Sequence, residues 1–171
     1  MRALEASTVL SVGEKIELLL LFLHKKWAAE VDVGLSRKDA SIAELERLGL
    51  PWRIDSRNGA SPESWVQVGA NQAVLDYLKE RRDQLSEMEA GMLYGFPLTH
   101  VLGFSGLIHE KVAPPVDTAT YMLAGVYSHN FYTQEVAHFR QIWREVEKAS
   151  PALAKQSEER YGKMRAKFGK T

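Results

Sequence analysis

Apolar residues at helical spacing dominate the start of the chain. Ser11 and Glu14 form a capping-box pattern, in which a serine and a glutamate three residues later bond each other's backbone N–H groups. Apolar side chains then recur at intervals of one to four residues, at Ile16, Leu19, Leu20, Leu23 and Trp27. This spacing predicts a helix over about 12–27. Because leucines also occupy its other faces, we expect this helix to be buried on several sides.

Between residues 28 and 69 the apolar and polar positions alternate instead. Residues 29–35 read Ala-Glu-Val-Asp-Val-Gly-Leu, and this period of two is typical of a half-buried strand. Two further strands are predicted at 52–55 and 65–68, separated by a segment of turn composition at 56–62. Strands joined in this way favour a hairpin. We therefore predict about three strands within 28–69, in a small antiparallel or mixed sheet packed with helices.

Helix signals dominate after residue 70. Ser86 and Glu89 form a second capping box, and the Ser150-Pro151 pair is typical of a helix start. The clearest amphipathic helix spans 134–148, and its apolar stripe has three- and four-residue spacing: Val136, Phe139, Trp143 and Val146. The C-terminal half is therefore predicted to be mostly helical.

The length and the order of these elements favour one domain with an α+β fold. A chain of 171 residues lies within the usual range of a single domain. Helices that follow strands, rather than alternating with them, are typical of the α+β class. We predict one domain over 1–171, with a strand-containing part over 1–70 and a helical part over 71–171.

The composition excludes several classes of function. The 22 basic and 22 acidic residues cancel, which removes the overall field that would attract nucleic acid or an anionic membrane. The absence of cysteine excludes disulfides, thiolate metal sites and cysteine nucleophiles. The most apolar window, 16–23, is too short for a transmembrane helix and lacks a signal-peptide pattern. We expect a cytoplasmic protein with no membrane partner and, without a Gly-rich phosphate loop, no cofactor.

Three segments carry a resemblance to a known family: Leu50-Pro-Trp-Arg, Trp65-Val-Gln-Val-Gly-Ala-Asn-Gln-Ala-Val-Leu and Gly91-Met-Leu-Tyr-Gly-Phe-Pro. The chain resembles, over about 15–150, a family of uncharacterised prokaryotic, mainly archaeal, proteins with a Gly-Tyr-Pro motif. Members of that family often carry paired cysteines after the motif, where this sequence has Thr99 and His100. Thiol chemistry therefore cannot be carried over, and the resemblance implies a fold and not a function.

The candidate chemistry lies in one stretch that holds four of the five histidines. Imidazoles and carboxylates are the groups that a site without cysteine would use for metal binding or acid–base catalysis. Glu135 and His138 form a Glu-x-x-His step, which di-metal helical bundles use twice, but the sequence contains one copy. These two residues are the candidate metal ligands. The candidate catalytic residues are His100, His109, His129, Glu135 and His138.

Basic residues near the C-terminus offer a different hypothesis. Arg160, Lys163 and Lys167 could contact the phosphates of a nucleic acid, although the cations of this segment spread around the predicted helix. Because no named acid, base and electrophile come together in the pattern, our leading hypothesis is a non-catalytic binding or protein-interaction domain, with an unknown protein partner or self-association. The alternatives are a small metal-dependent or His/Glu-based enzyme and a nucleic-acid-binding protein.

Overall fold

The computed structural model of the protein describes residues 2–54, 65–81, 84–107, 111–112, 117–123 and 127–168. The predicted α+β fold is confirmed, with a small antiparallel sheet followed by a mostly helical C-terminal half. The chain forms two compact units, Met1–Phe96 and Pro97–Thr171. Two compact units can belong to one domain, so the single-domain organisation stays a prediction. Within the described residues, every helix is too short or too polar to cross a lipid bilayer.

The first unit combines three strands with helices. In chain order its elements are α1 (Arg2–Glu5), α2 (Val12–Phe22), β1 (Ala28–Asp32), a 3-10 turn (Leu35–Arg37), α3 (Lys38–Arg47), β2 (Trp52–Ile54), β3 (Trp65–Gly69), α4 (Gln72–Glu80) and α5 (Glu87–Leu93). Both predicted capping boxes are present, one at the start of α2 and one at the start of α5. These local signals therefore place two helix starts correctly.

Helix α2 is buried as expected but ends earlier than predicted. It stops at Phe22, because His24 adopts a left-handed backbone conformation with a φ of 55°. The N–H of His24 donates to the carbonyl of Leu21 at 3.0 Å, and that of Lys25 donates to Leu20 at 2.9 Å. This pair of bonds is a Schellman motif, which closes a helix and redirects the chain. The prediction that the helix extends to residue 27 is wrong.

The sheet has the strand order β1-β3-β2, with both neighbouring pairs antiparallel. The predicted pairing of the strands at 52–55 and 65–68 is confirmed, while the turn expected at 56–62 lies outside the described residues. Helix α2 packs on β1. Ala28 of β1 packs in a cluster with Leu75 and Leu78 of α4, so helices contribute to the core around the sheet.

The second unit is built around a long amphipathic helix. Its elements are α6 (Leu98–Phe104), β4 (Lys111–Val112), α7 (Thr118–Leu123), β5 (Tyr127–Ser128), α8 (Tyr132–Ala149) and α9 (Pro151–Phe168). The predicted stripe of α8 is buried, and α8 packs against α7 and α9. Ser150 caps α9 by accepting the N–H of Leu153 at 3.3 Å. The short antiparallel pair β4–β5 was not expected, because two residues per strand are too few for a pattern of alternation.

Candidate functional site

The second unit contains a buried polar cluster, which we define as His100, Tyr127, Ser128 and Glu135. The Glu135 carboxylate, in the first turn of α8, accepts the backbone N–H of Ser128 at 2.9 Å and the Ser128 hydroxyl at 2.7 Å. A Cβ added at Gly103 would lie 3.0 Å from the Ser128 Cβ. The missing side chain at Gly103 therefore lets α6 lie close against β5, and α6 also carries His100.

His100 faces the same carboxylate from α6. Its Nδ1 lies 3.7 Å from Glu135 Oε2, and its ring meets those of Tyr127 and Phe139 edge-on at centroid distances of 6.0 and 5.7 Å. Burial lowers the pKa of His100, and the opposing effect of the Glu135 carboxylate does not cancel it. Burial likewise raises the pKa of the Tyr127 hydroxyl. The cluster therefore favours a neutral imidazole and a neutral phenol.

The order of these groups differs from that of a nucleophilic triad. In a triad the imidazole lies between the hydroxyl and the carboxylate, so that it can take the hydroxyl proton. Here the carboxylate of Glu135 lies in the middle and holds both Ser128 and His100. Ser128 is 2 % exposed and Glu135 is 1 % exposed, so no substrate reaches them without opening the unit. The two buried hydrogen bonds between Glu135 and Ser128 hold α8 and β5 in one arrangement.

The other predicted histidines do not join the buried cluster in the described structure. His129 and His138 are exposed, and His109 lies outside the described residues. The His138 ring meets Phe139 edge-on, whereas Glu135, one helical turn before it, is buried. Among the described residues no group of three or more His, Asp and Glu side chains could hold a metal ion. Glu135 and His138 therefore find no third ligand there.

The predicted nucleic-acid residues lie on α9. Arg160 and Lys163 are exposed, and the side chain of Lys167 lies outside the described part of the structure. Glu158 and Glu159 are also exposed on this helix. Acidic groups so close to the cations weaken the positive field that a phosphate backbone would meet.

A charged cavity of about 410 Å³ also lies on the second unit, lined by residues of α7, α8 and α9. Asp117, which lines this cavity, accepts two hydrogen bonds from the Arg140 guanidinium, from Nη2 at 2.6 Å and from Nε at 3.0 Å. It also accepts the backbone N–H of Thr120 at 2.9 Å. Burial opposes ionisation, but these bonds outweigh it and lower the pKa of Asp117. Asp117 thus caps the start of α7 and forms an ion pair with Arg140 of α8. These structural roles explain its position without a ligand.

In the first unit a polar row crosses one face of the sheet. Glu30, Gln67 and Arg53 are neighbours on β1, β3 and β2. Gln67 accepts Arg53 Nε at 2.7 Å and donates to the Tyr94 hydroxyl at 3.2 Å, and that hydroxyl donates to Glu30 at 2.8 Å. Sequence reasoning missed this row, although each member is a polar residue between two apolar neighbours in its strand. The row links the three strands to the end of α5.

The first unit also carries a surface groove of about 290 Å³, which we call the aromatic groove. Its lining combines exposed aromatic and apolar side chains with one carboxylate: Trp27, Tyr77, Glu89, Met92 and Leu93. Trp27 is 51 % exposed, Met92 47 % and Tyr77 40 %. Tryptophan, tyrosine and methionine are the residue types enriched where proteins contact each other.

The backbone around Trp27 is fixed on two sides. Its N–H donates to the carbonyl of Leu93 at 2.8 Å, and its carbonyl accepts the N–H of Ala70 at 2.8 Å. The backbone of Gly95 packs closely against that of Lys25, because a Cβ at Gly95 would lie 2.4 Å from the Lys25 carbonyl oxygen. Gly95 also has a left-handed backbone conformation, with a φ of 82°. The groove is thus built on a backbone that is already ordered before any partner binds.

Glu89 brings a negative charge into the aromatic groove. Its Oε2 accepts the backbone N–H and the hydroxyl of Ser86, both at 2.9 Å. Its Oε1 has longer contacts, at 3.4 Å to the Tyr77 hydroxyl and 3.9 Å to Arg81 Nη2. The bonds from Ser86, with help from Arg81 and Tyr77, lower the pKa of Glu89, so this side chain is ionised at neutral pH.

Sequence reasoning missed the aromatic groove because it placed Trp27 in the buried stripe of α2. The early end of α2 instead leaves Trp27 just before β1, where its side chain is exposed. The capping box indicated that Glu89 lies in the first turn of α5, but it gave no sign that the Glu89 carboxylate also lines a groove.

Comparisons with family models, with curated proteins and with solved structures find no significant match to this chain. The resemblance to the archaeal family therefore stays a prediction. Its three segments nevertheless meet in space, because Arg53, Gln67 and Tyr94 each come from one of them and form the hydrogen-bonded polar row.

Proposed function

We propose that this chain is a non-catalytic protein-interaction domain that binds its partner through the aromatic groove. One observation carries the proposal: Trp27, Tyr77 and Met92 are exposed around a single groove whose backbone is held by internal hydrogen bonds. Large side chains on an ordered backbone bind with little loss of conformational entropy. In measured interfaces a few residues supply most of the binding energy, and tryptophan and tyrosine are enriched among them.

The size of the groove favours a side chain of a partner protein as the occupant. Pockets for cofactors and drug-sized molecules enclose roughly 300–1,000 Å³. The aromatic groove, at about 290 Å³, lies just below that range and opens at the surface. We therefore propose that a segment of another protein inserts one long side chain between Trp27 and Met92, while its backbone stays outside.

The alternative hypotheses have less support. The His/Glu enzyme would have to use His100 and Glu135, which are buried among their own partners. A nucleic-acid interface on α9 would expose Glu158 and Glu159 beside Arg160. The expected cytoplasmic location is compatible with each of these functions and stays a prediction.

Selection of peptides from a random-sequence display library tests the proposal. We expect selected peptides to bind the wild-type protein and to lose at least about tenfold in affinity with Trp27→Ala. Leu35→Ala is the matched control, because Leu35 is an exposed apolar residue of the same unit that does not line the groove. Equal binding to all three proteins, or no selectable peptide, would contradict the proposal. If light scattering showed that the wild-type protein is a dimer and that Trp27→Ala is a monomer, the occupant of the groove would instead be a second copy of this chain.

A further inference from the structure

Resting on that proposed function, we infer that the side chain bound in the aromatic groove is basic, a lysine or an arginine of the partner protein. Its methylene groups lie along Trp27 and Met92, and its cation meets the Glu89 carboxylate.

The hydrogen bonding of Glu89 supports a cationic occupant. A carboxylate offers about four acceptor positions, and the two bonds from Ser86 use only Oε2. The contacts of Oε1 with Tyr77 and Arg81, at 3.4 and 3.9 Å, are longer than well-formed hydrogen bonds. Oε1 therefore retains acceptor capacity, and because Glu89 and its contact Tyr77 both line the groove, an ammonium or guanidinium group bound there can donate to this oxygen.

The remaining lining suits the rest of a basic side chain. Lysine and arginine bury apolar stems while their charged ends stay hydrated or paired, and Met92 and Leu93 supply an apolar surface for such a stem. Trp27 and Tyr77 add aromatic rings, which attract cations through their π faces. The groove thus combines an apolar wall, aromatic rings and a fixed negative charge.

Neutral and acidic occupants fit this combination less well. A purely apolar side chain would remove water from Glu89 without supplying a hydrogen-bond donor, which is costly for a charged group. An acidic side chain would meet the same carboxylate with a like charge. The chain's own Arg81, whose Nη2 already lies 3.9 Å from Oε1, shows that a guanidinium can approach this oxygen. The groove therefore selects by charge as well as by shape.

Small organic ions can probe this inference directly. The probes are butylammonium and butylguanidinium, with pentanol as a neutral analogue and butyrate as an anionic one. Binding is followed by NMR through the indole N–H signal of Trp27, one of four tryptophans, assigned by comparison with Trp27→Phe. We expect saturable shifts with the two cations that are at least about fivefold tighter than with pentanol, and none with butyrate.

Glu89→Gln is the decisive variant, because glutamine can also occupy this position of a capping box and keeps α5 intact. Glu87→Gln changes the net charge equally on the same helix but lies outside the groove lining, so it is the matched control. We expect Glu89→Gln to weaken cation binding about fivefold or more, and Glu87→Gln to leave it unchanged. Equal cation binding by wild type and Glu89→Gln would overturn the inference.

The display selection separates this inference from the proposed function. Enrichment of lysine or arginine at one position, together with weaker binding to Glu89→Gln, supports both. Peptides that need Trp27 but lack a basic residue, and bind Glu89→Gln as well as the wild type, would overturn the inference and leave the interaction domain standing. Absence of any Trp27-dependent peptide would overturn the proposed function itself.

Discussion

Glu135 of the second unit and Glu89 of the first unit both lie in the first turn of a helix, where the helix dipole stabilises a negative charge. Their surroundings differ. The Glu135 side chain is 0 % exposed, with one oxygen bonded to the Ser128 hydroxyl and the other to its N–H beside His100. The Glu89 side chain is 35 % exposed, and Glu89 lines the aromatic groove. A buried carboxylate with both oxygens hydrogen-bonded inside the unit stabilises the fold, whereas a partly exposed one whose Oε1 makes only long contacts remains available for a partner.

Removal of the Glu135 carboxylate should produce the largest effect. Glu135→Ala leaves the N–H and hydroxyl of Ser128 buried without their acceptor, which we expect to lower the free energy of unfolding by about 4 kcal/mol. Urea denaturation followed by circular dichroism measures this loss. Glu147→Ala, an exposed glutamate on the same helix, should change the stability by less than about 0.5 kcal/mol. Similar stabilities for the two variants would contradict a structural role for Glu135.

A substitution beneath the groove region should have the next largest effect. Gly95→Ala combines a left-handed backbone conformation with a Cβ only 2.4 Å from the Lys25 carbonyl oxygen, and we expect a loss of about 3 kcal/mol. Gly49→Ala is the matched control, because Gly49 has a φ of 70° but no atom near the added Cβ. The control should lose about 1 kcal/mol, measured by the same denaturation. Equal losses would show that close packing at Gly95 contributes nothing.

Acidification should weaken the second unit through His100. Burial lowers the pKa of His100 in the folded state, whereas the unfolded chain titrates near 6.5. Below that pH the unfolded state therefore binds a proton that the folded state does not take up, and stability falls as the pH falls. We expect a loss of about 1 kcal/mol between pH 7.5 and 5, smaller in His100→Gln. An unchanged slope in His100→Gln would refute this explanation.

Truncation of the groove itself should have the smallest effect on stability. We expect Trp27→Ala and Met92→Ala to lower the free energy of unfolding by no more than about 1 kcal/mol, because about half of each residue is exposed. Thermal and urea denaturation would detect a larger change. A loss above about 3 kcal/mol, as large as that of a core tryptophan, would mean that Trp27 stabilises the fold as Glu135 does and is not mainly a binding residue.

The parts of the fold that depend on neighbouring residues were predictable from the sequence. The capping boxes of Ser11 with Glu14 and Ser86 with Glu89 act within one helical turn, so the sequence shows both partners. The pairing of β1 with β3 joins residues far apart in the chain, and alternation alone does not specify it. The end of α2 was missed because His24 takes a left-handed conformation that glycine or asparagine usually supplies.

The candidate site was less predictable for the same reason. The sequence grouped four histidines with Glu135, and within the described structure His100 is the one that lies beside its carboxylate. Its closest partner, Ser128, was missed because the bond crosses from a two-residue strand to a helix, which no periodicity indicates. Trp27 was mistaken for a core residue because an apolar side chain at helical spacing looks the same whether the helix continues or stops.

The two hydrogen bonds that hold Trp27 involve only its backbone N–H and carbonyl, which every residue except proline possesses. The fold therefore places few demands on which side chain stands at position 27. Mutation there can redirect the choice of partner without repeated loss of the folded state, so this position is open to evolutionary change. The same freedom makes it a suitable place to introduce a fluorescent or photo-reactive amino acid for capturing partners inside cells.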